Sequence, residues 1–163
     1  MIFVTVGAQM PFDRLVRGVD DWAGSHARED VFAQIGTTEY QPRAIEWSAF
    51  LDPPAFRERI ERAAVIVAHA GMGSILTALQ CGKPILVMPR RGDLRETRND
   101  HQVATAERFK ALGRVSVAMD ESELPGRLDE LHALAATDPI SPHASPELLG
   151  ALKRFIHAEG KTP

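Results

Sequence analysis

Cysteine is almost missing from this chain: Cys81 stands alone among 163 residues, which excludes an intrachain disulfide. Long apolar runs are missing as well. The longest, such as Ala63 to Ala68 and Pro84 to Pro89, fall far short of the roughly 20 residues a membrane-crossing helix needs. The N-terminus enters a strand pattern at once, without the basic and apolar parts of a signal peptide, so a cytoplasmic location is expected. A net charge of −3 gives no support for bulk nucleic-acid binding, and any anion site must be local. There is no internal repeat and no low-complexity segment. What remains is a composition with 44% hydrophobic residues, at the length of one domain, enough to bury a core.

MIFVTVG reads as a buried strand that Gly7 ends. From Pro11 onward Phe12, Leu15, Val16 and Val19 recur at spacings of three and four, painting one apolar stripe, while Asp13, Arg14, Arg17 and Asp20 take the opposite face. VFAQIG (31–36) and RAIEWS (43–48) are two more strands. Asp52 before Pro53 is an N-cap followed by proline in the first helical position, opening a helix that turns Phe56, Ile60 and Ala63 inward. AAVIVAH is the fourth strand, SILTALQC a helix stopped at Gly82, and PILVMP the fifth strand. A helix over 99–112 carries Val103, Ala106, Phe109 and Leu112, and 115–117 is a short sixth strand. Apolar strands alternating with amphipathic helices predict a parallel sheet covered on both faces, a doubly wound α/β domain over 1–138. Residues 139–163 differ in texture: a proline-rich loop leads to a last helix from Ser145 whose Leu148, Leu149, Leu152, Phe155 and Ile156 pack either on the domain or on a partner chain.

In open α/β sheets ligands lie beyond the carboxyl ends of the strands. AHAGMGSILTALQCGKPILVMP (68–89) places a glycine corner there. Gly71 and Gly73 are expected to turn with positive φ and bring backbone N–H groups to a ligand, with Met72 between them and the next helix aiming its positive end at the same spot. The corner suits a phosphate; equally, it can be a tight turn in which Ser74 only caps the helix. It is neither a P-loop nor a dinucleotide fingerprint. RRGDLRETRNDHQ (90–102) opens onto the same rim. Residues 90–101 hold four arginines against two aspartates and one glutamate, a local +1 that can pair with a diphosphate or a carboxylate through Arg90 and Arg91. Asn99, Asp100, His101 and Gln102 sit at a helix start, able to cap it or to hydrogen-bond sugar hydroxyls. Gly7, Ala8 and Gln9 supply a third loop. Three loops around one cleft suit a nucleotide diphosphate carrying a sugar.

These stretches, with MIFVTVGAQMPFDRLV and RNDHQVATAERF, resemble the C-terminal, donor-binding domain of glycosyltransferase family 28, and within it the stand-alone exopolysaccharide subunits of the PssE type and the soluble subunit of the split dolichol-linked GlcNAc transferase. The resemblance covers most of the chain. It implies a Rossmann-like half of a GT-B enzyme that holds a UDP-sugar. A membrane-anchored partner would then present a lipid-linked acceptor at the inner face of the plasma membrane. Carried over, Gly7 and its loop approach the diphosphate, the 71–74 corner cradles it, and Asp100, His101 and Gln102 face the sugar. Thr77 stands where family members often carry a glutamate that grips the ribose hydroxyls. The implied reaction is inverting transfer with no cofactor and no metal, since no D-x-D pair is present. His69, ending a strand beside the corner, is the candidate catalytic residue, or else a turn residue bonded to backbone. Arg90 and Arg91 raise the expectation of an acidic donor sugar such as glucuronic acid.

Overall fold

A computed structural model describes residues 1–134 without a break, then 136, 139–141, 143, 146, 149 and 150. The C-terminal helix expected from Ser145, and with it the boundary at 138/139, falls largely outside the described residues. In chain order the elements are β1 (Ile2–Thr5), α1 (Asp13–Ser25), β2 (Val31–Gln34), β3 (Glu46–Ser48), α2 (Pro53–Arg62) and β4 (Val65–His69). There follow α3 (Met72–Gln80), β5 (Ile85–Met88), α4 (His101–Ala111), β6 (Ser116–Val117) and α5 (Leu124–Asp129), with a 3₁₀ turn at Leu131–Ala133.

The six strands form one sheet in the order β3-β2-β1-β4-β5-β6, and every pairing is parallel. A parallel sheet needs crossovers that bury both faces, and β1, β2 and β5 are buried at every residue. Alternate residues feed two cores. Ile2, Val4 and Val6 pack with Leu15, Val19 and Leu124 beneath α1 and α5, while Phe3 packs with Ile60, Ile75 and Leu79 beneath α2 and α3. The strand order reverses between β1 and β4, and such a switch point leaves a crevice at the carboxyl ends of those strands.

Local chemistry accounts for the element ends. The Asp52 carboxylate accepts the Ala55 N–H at 2.8 Å, with Pro53 leading α2 as expected. At the other end of that helix, Lys83 Nζ donates to the carbonyls of Glu61 (2.6 Å) and Ala63 (2.8 Å), satisfying acceptors the helix leaves open. Gly82, at φ +62°, stops α3, and the Lys83 N–H closes the turn on Ala78 O at 2.9 Å.

Three expectations change. Asp20 belongs to the interior rather than to the polar face of α1: it is 4% exposed and accepts the N–H groups of Arg43 and Ala44 and the Tyr40 hydroxyl. Burial works to raise its pKa, but these hydrogen bonds outweigh burial and hold it below the usual carboxylate range, while the same contact pushes Tyr40 up to about 12. In α4 the apolar stripe is shallow, since Leu112 is 54% exposed and only Gln102 and Ala106 are buried. The third change is an added element, since α5 has no counterpart among the helices expected from the sequence. Its Leu124 and Leu128 dock on α1, where Gly18 gives way to Leu124: a Cβ at Gly18 would lie 2.6 Å from that side chain. Among the described residues no helix is long and apolar enough to cross a membrane.

Candidate functional site

A cavity of about 470 Å³ occupies the switch-point crevice, between the loops that follow β1, β4 and β5. Its walls bring together Gly7, Ala8 and Gln9 from the first loop, His69, Gly71, Gly73, Ser74 and Thr77 from the glycine corner, and Arg90, His101 and Gln102 from the third. Met72, Arg91, Asn99 and Asp100 do not line it. Val6, Met10, Phe56 and Thr97 do, although nothing in their sequence context marks them. A second cavity of about 510 Å³ adjoins the first and shares Gly7, Ala8, Phe56 and Thr77 with it.

The corner is built differently from its expected form. Gly71 has φ −84° and Gly73 lies within α3, so neither adopts positive φ; the left-handed glycine is Gly7, at +74°. Gly71 and Gly7 matter because they lack side chains. A Cβ on Gly71 would sit 2.2 Å from Nε2 of His69, and a Cβ on Gly7 would sit 2.9 Å from Cε1 of the same ring. Both glycines therefore make room for one imidazole. Gly73 is the opposite case, since a Cβ there meets nothing within 4 Å and would fill open space on the cavity wall. Ser74 does not cap: α3 starts at Met72 with Gly71 as N-cap and no side-chain cap bond. The first intrahelical bond runs from Ile75 N–H to Gly71 O at 3.1 Å, and the N–H groups of Met72, Gly73 and Ser74 have no acceptor among the described residues. Those donors and the positive end of the helix dipole point the same way.

His69 is a neutral residue in this setting. Burial, and then the charge of Arg90, push its pKa down to about 4, against a weak opposing contact from Nδ1 to Thr5 O at 3.5 Å. A ring that stays neutral to pH 4 is poorly matched to taking a proton at pH 7. Because its folded pKa is depressed below the unfolded value of 6.5, the unfolded chain binds the extra proton first. Stability should therefore be full above pH 6.5 and fall, by at most about 1.4 kcal/mol per pH unit, as pH drops toward 4. Urea denaturation of the wild type and of His69→Gln across pH 4 to 7 checks this, the variant showing the flatter acid limb.

The third loop corrects the arginine reading. Arg90 is 4% exposed and its guanidinium is committed to the chain itself: Nη2 donates to Val6 O (2.7 Å) and Met10 O (2.5 Å), Nε to Pro11 O (3.4 Å), and the group lies 5.0 Å above the Phe12 ring. Burial lowers its pKa to about 10, opposed by Glu96, so it stays cationic at neutral pH. Arg90 is thus the clamp that shapes the β1 loop. Arg91 pairs with Asp93 at 2.7 Å, outside the cavity. Glu96 pins this loop to α1 by accepting two hydrogen bonds from Arg14, at 2.8 and 2.9 Å, and the Arg91 N–H. Arg91 therefore does not reach the cavity, whereas Arg90 stands in its wall with Nε and Nη2 given to the β1 loop.

At the start of α4 the four polar residues divide their work. Asp100 accepts the Gly92 N–H at 2.8 Å, bracing the loop instead of capping the helix, and Asn99 Oδ1 accepts the His101 N–H and meets the His101 ring. Gln102 is 5% exposed, and its Oε1 accepts the Arg90 N–H at 3.1 Å. A backbone N–H can only donate, so this bond orients the carboxamide and leaves its NH₂ as the group without a partner among the described residues. Thr77 Oγ1 donates to Gly73 O at 2.8 Å, which leaves its lone pairs for an incoming hydroxyl.

Comparisons with known proteins agree with this fold. The model of the glycosyltransferase family 28 C-terminal domain matches residues 1–143. The chain is 39% identical over 90 residues to the UDP-N-acetylglucosamine transferase subunit ALG13 of Eremothecium gossypii; that match covers 53% of this chain and 42% of the relative, so it spans less than half of the relative's length. Among solved structures, the glycotransferase of kitacinnamycin superposes with a TM-score of 0.56 at 26% identity, over 97% of this chain and 39% of that one. The solution structure of ALG13 superposes with a TM-score of 0.60 at 19% identity, over 94% of this chain and 93% of that one, which shows a shared fold. The six-stranded parallel sheet has the Rossmann-like fold of the C-terminal half of GT-B glycosyltransferases, and this chain belongs to the glycosyltransferase family 28 C-terminal domain family.

Proposed function

We propose that the chain is the donor-binding subunit of a split inverting glycosyltransferase, which transfers a hexose or hexuronic acid from a UDP-sugar to a lipid-linked acceptor in polysaccharide synthesis. The observation that carries this reading is the row of unpaired N–H groups at Met72, Gly73 and Ser74, opening α3 beside two joined cavities. A diphosphate seated there receives backbone hydrogen bonds and the helix dipole. As UDP leaves, its growing negative charge meets the same donors together with buried, cationic Arg90, without a metal or other cofactor. Thr77 accepts from a ribose hydroxyl, and the NH₂ of Gln102 with His101 faces the sugar. Asp100 and Asn99 act behind them by holding the loop.

The acceptor's proton goes elsewhere. His69, low in pKa and wedged between two glycines, serves as a support for the corner rather than as the base. The base is then supplied by the membrane-anchored partner that also presents the acceptor, which places this subunit in the cytoplasm at the inner face of the plasma membrane. Calorimetry with UDP, UDP-glucose, UDP-GlcNAc and UDP-glucuronate, followed by transfer assays with and without the partner, tests the proposal. Saturable UDP-sugar binding with turnover only in the complex is expected. Binding with no turnover in either state would instead make the chain a non-catalytic nucleotide-sugar module, and no binding at all would overturn the site.

A further inference from the structure

The second cavity holds a feature that the diphosphate site does not use. Gln34, at the carboxyl end of β2, is 5% exposed and lines this cavity together with Leu51, Phe56 and Ile60. Its orientation follows from its neighbours. The Gly7 N–H donates to Thr5 Oγ1 at 3.3 Å, and the Thr5 hydroxyl, itself 1% exposed, donates onward to Gln34 Oε1 at 2.9 Å. With the Thr5 hydroxyl donating to it, the oxygen of the carboxamide faces Thr5 and the NH₂ is turned away. That NH₂ has no acceptor among the described residues. A buried donor left without a partner costs about 1–3 kcal/mol, which an acceptor on a bound molecule would recover.

We propose that Gln34 reads the nucleobase of the donor, its carboxamide N–H donating to a ring carbonyl of the kind uracil carries and adenine lacks. The inference rests on the nucleotide-diphosphate reading of the adjoining cavity. Leu51, Pro53, Phe56 and Ile60 offer a flat base an apolar and aromatic face, while Gln34, Arg57 and Gln80 leave polar groups for its edge. The shared residues Gly7, Phe56 and Thr77 make the two cavities one trough, so a base at Gln34 and a diphosphate at Gly73 belong to one molecule. Gln34 is then a residue that sets donor specificity by a single directed hydrogen bond.

The test compares UDP and ADP binding to the full chain by calorimetry, for the wild type, Gln34→Glu and Thr5→Val. The glutamate keeps an oxygen for the Thr5 hydroxyl but turns the donor into an acceptor, so UDP affinity should fall at least tenfold and the UDP-to-ADP preference should fall with it. Thr5→Val, which removes the hydroxyl that aims the amide, should shift the preference the same way by a smaller factor, and stands in if the glutamate variant fails to fold. Equal losses for UDP and ADP, or an unchanged preference in the folded variants, would overturn the assignment of Gln34 while leaving the diphosphate site intact. Failure of the wild type to bind UDP would overturn both.

Discussion

Arg90→Ala is expected to lower stability by roughly 3–5 kcal/mol and to weaken UDP-sugar binding by more than a hundredfold, the largest effect of any single change near the site. The reason is its position under the β1 loop. The guanidinium donates to the carbonyls of Val6, Met10 and Pro11 and covers the Phe12 ring, so alanine removes the donors and leaves those acceptors facing a void. Each buried carbonyl left without a donor costs about 1–3 kcal/mol. The loop that carries Gly7, Ala8 and Gln9 then loses the fixed form that lines the cavity. Lysine should restore little, because one ammonium cannot reproduce the planar fork that reaches three carbonyls. Urea unfolding and calorimetry on the same samples measure both effects. A hundredfold loss of affinity with stability unchanged would mean that Arg90 acts on the donor directly and not through the loop.

Gly73→Ala should separate binding from folding, by moving them in opposite directions. Alanine inside α3 is favoured over glycine by about 0.5–1 kcal/mol, and its Cβ meets nothing within 4 Å, so the isolated chain should be slightly more stable. The added methyl stands on the cavity wall beside the unpaired N–H groups, where a diphosphate has to approach, and UDP-sugar affinity should fall tenfold or more. Gly71→Ala is the control. Its Cβ would lie 2.2 Å from the His69 ring, so that variant should lose stability along with binding. A stabilised Gly73→Ala protein that bound UDP as tightly as the wild type would remove the α3 N-terminus from the site.

The elements that could be read in advance are those whose cause is local. Asp52-Pro53, Gly82 and the apolar runs of β1, β4 and β5 act through capping, backbone conformation and burial, each decided within a few residues. Much of the candidate site was legible for a related reason: loops after β1, β4 and β5 must open at the same end of a parallel sheet. The misread residues are those whose partners are distant in sequence. Arg90 finds carbonyls about 80 residues away, and Asp20 finds backbone N–H groups 23 and 24 residues away; charge alone suggested solvent for one and an anion for the other. Gln34 carried no local mark either, since its carboxamide is aimed by a threonine on the neighbouring strand.

The sequence by itself determined the alternation of strands and helices, the doubly wound class and the end of the sheet at which the loops after β1, β4 and β5 converge, because periodicity and chain chirality leave few other ways to bury these faces. Only the tertiary structure decided which polar groups are spent on holding the fold and which remain open. Arg90 and Asp100 are spent, while the first N–H groups of α3 and the carboxamides of Gln34 and Gln102 keep unpaired donors toward the trough. That division depends on hydrogen bonds between segments far apart in the chain. Which donors stay unpaired is settled only when those segments pack.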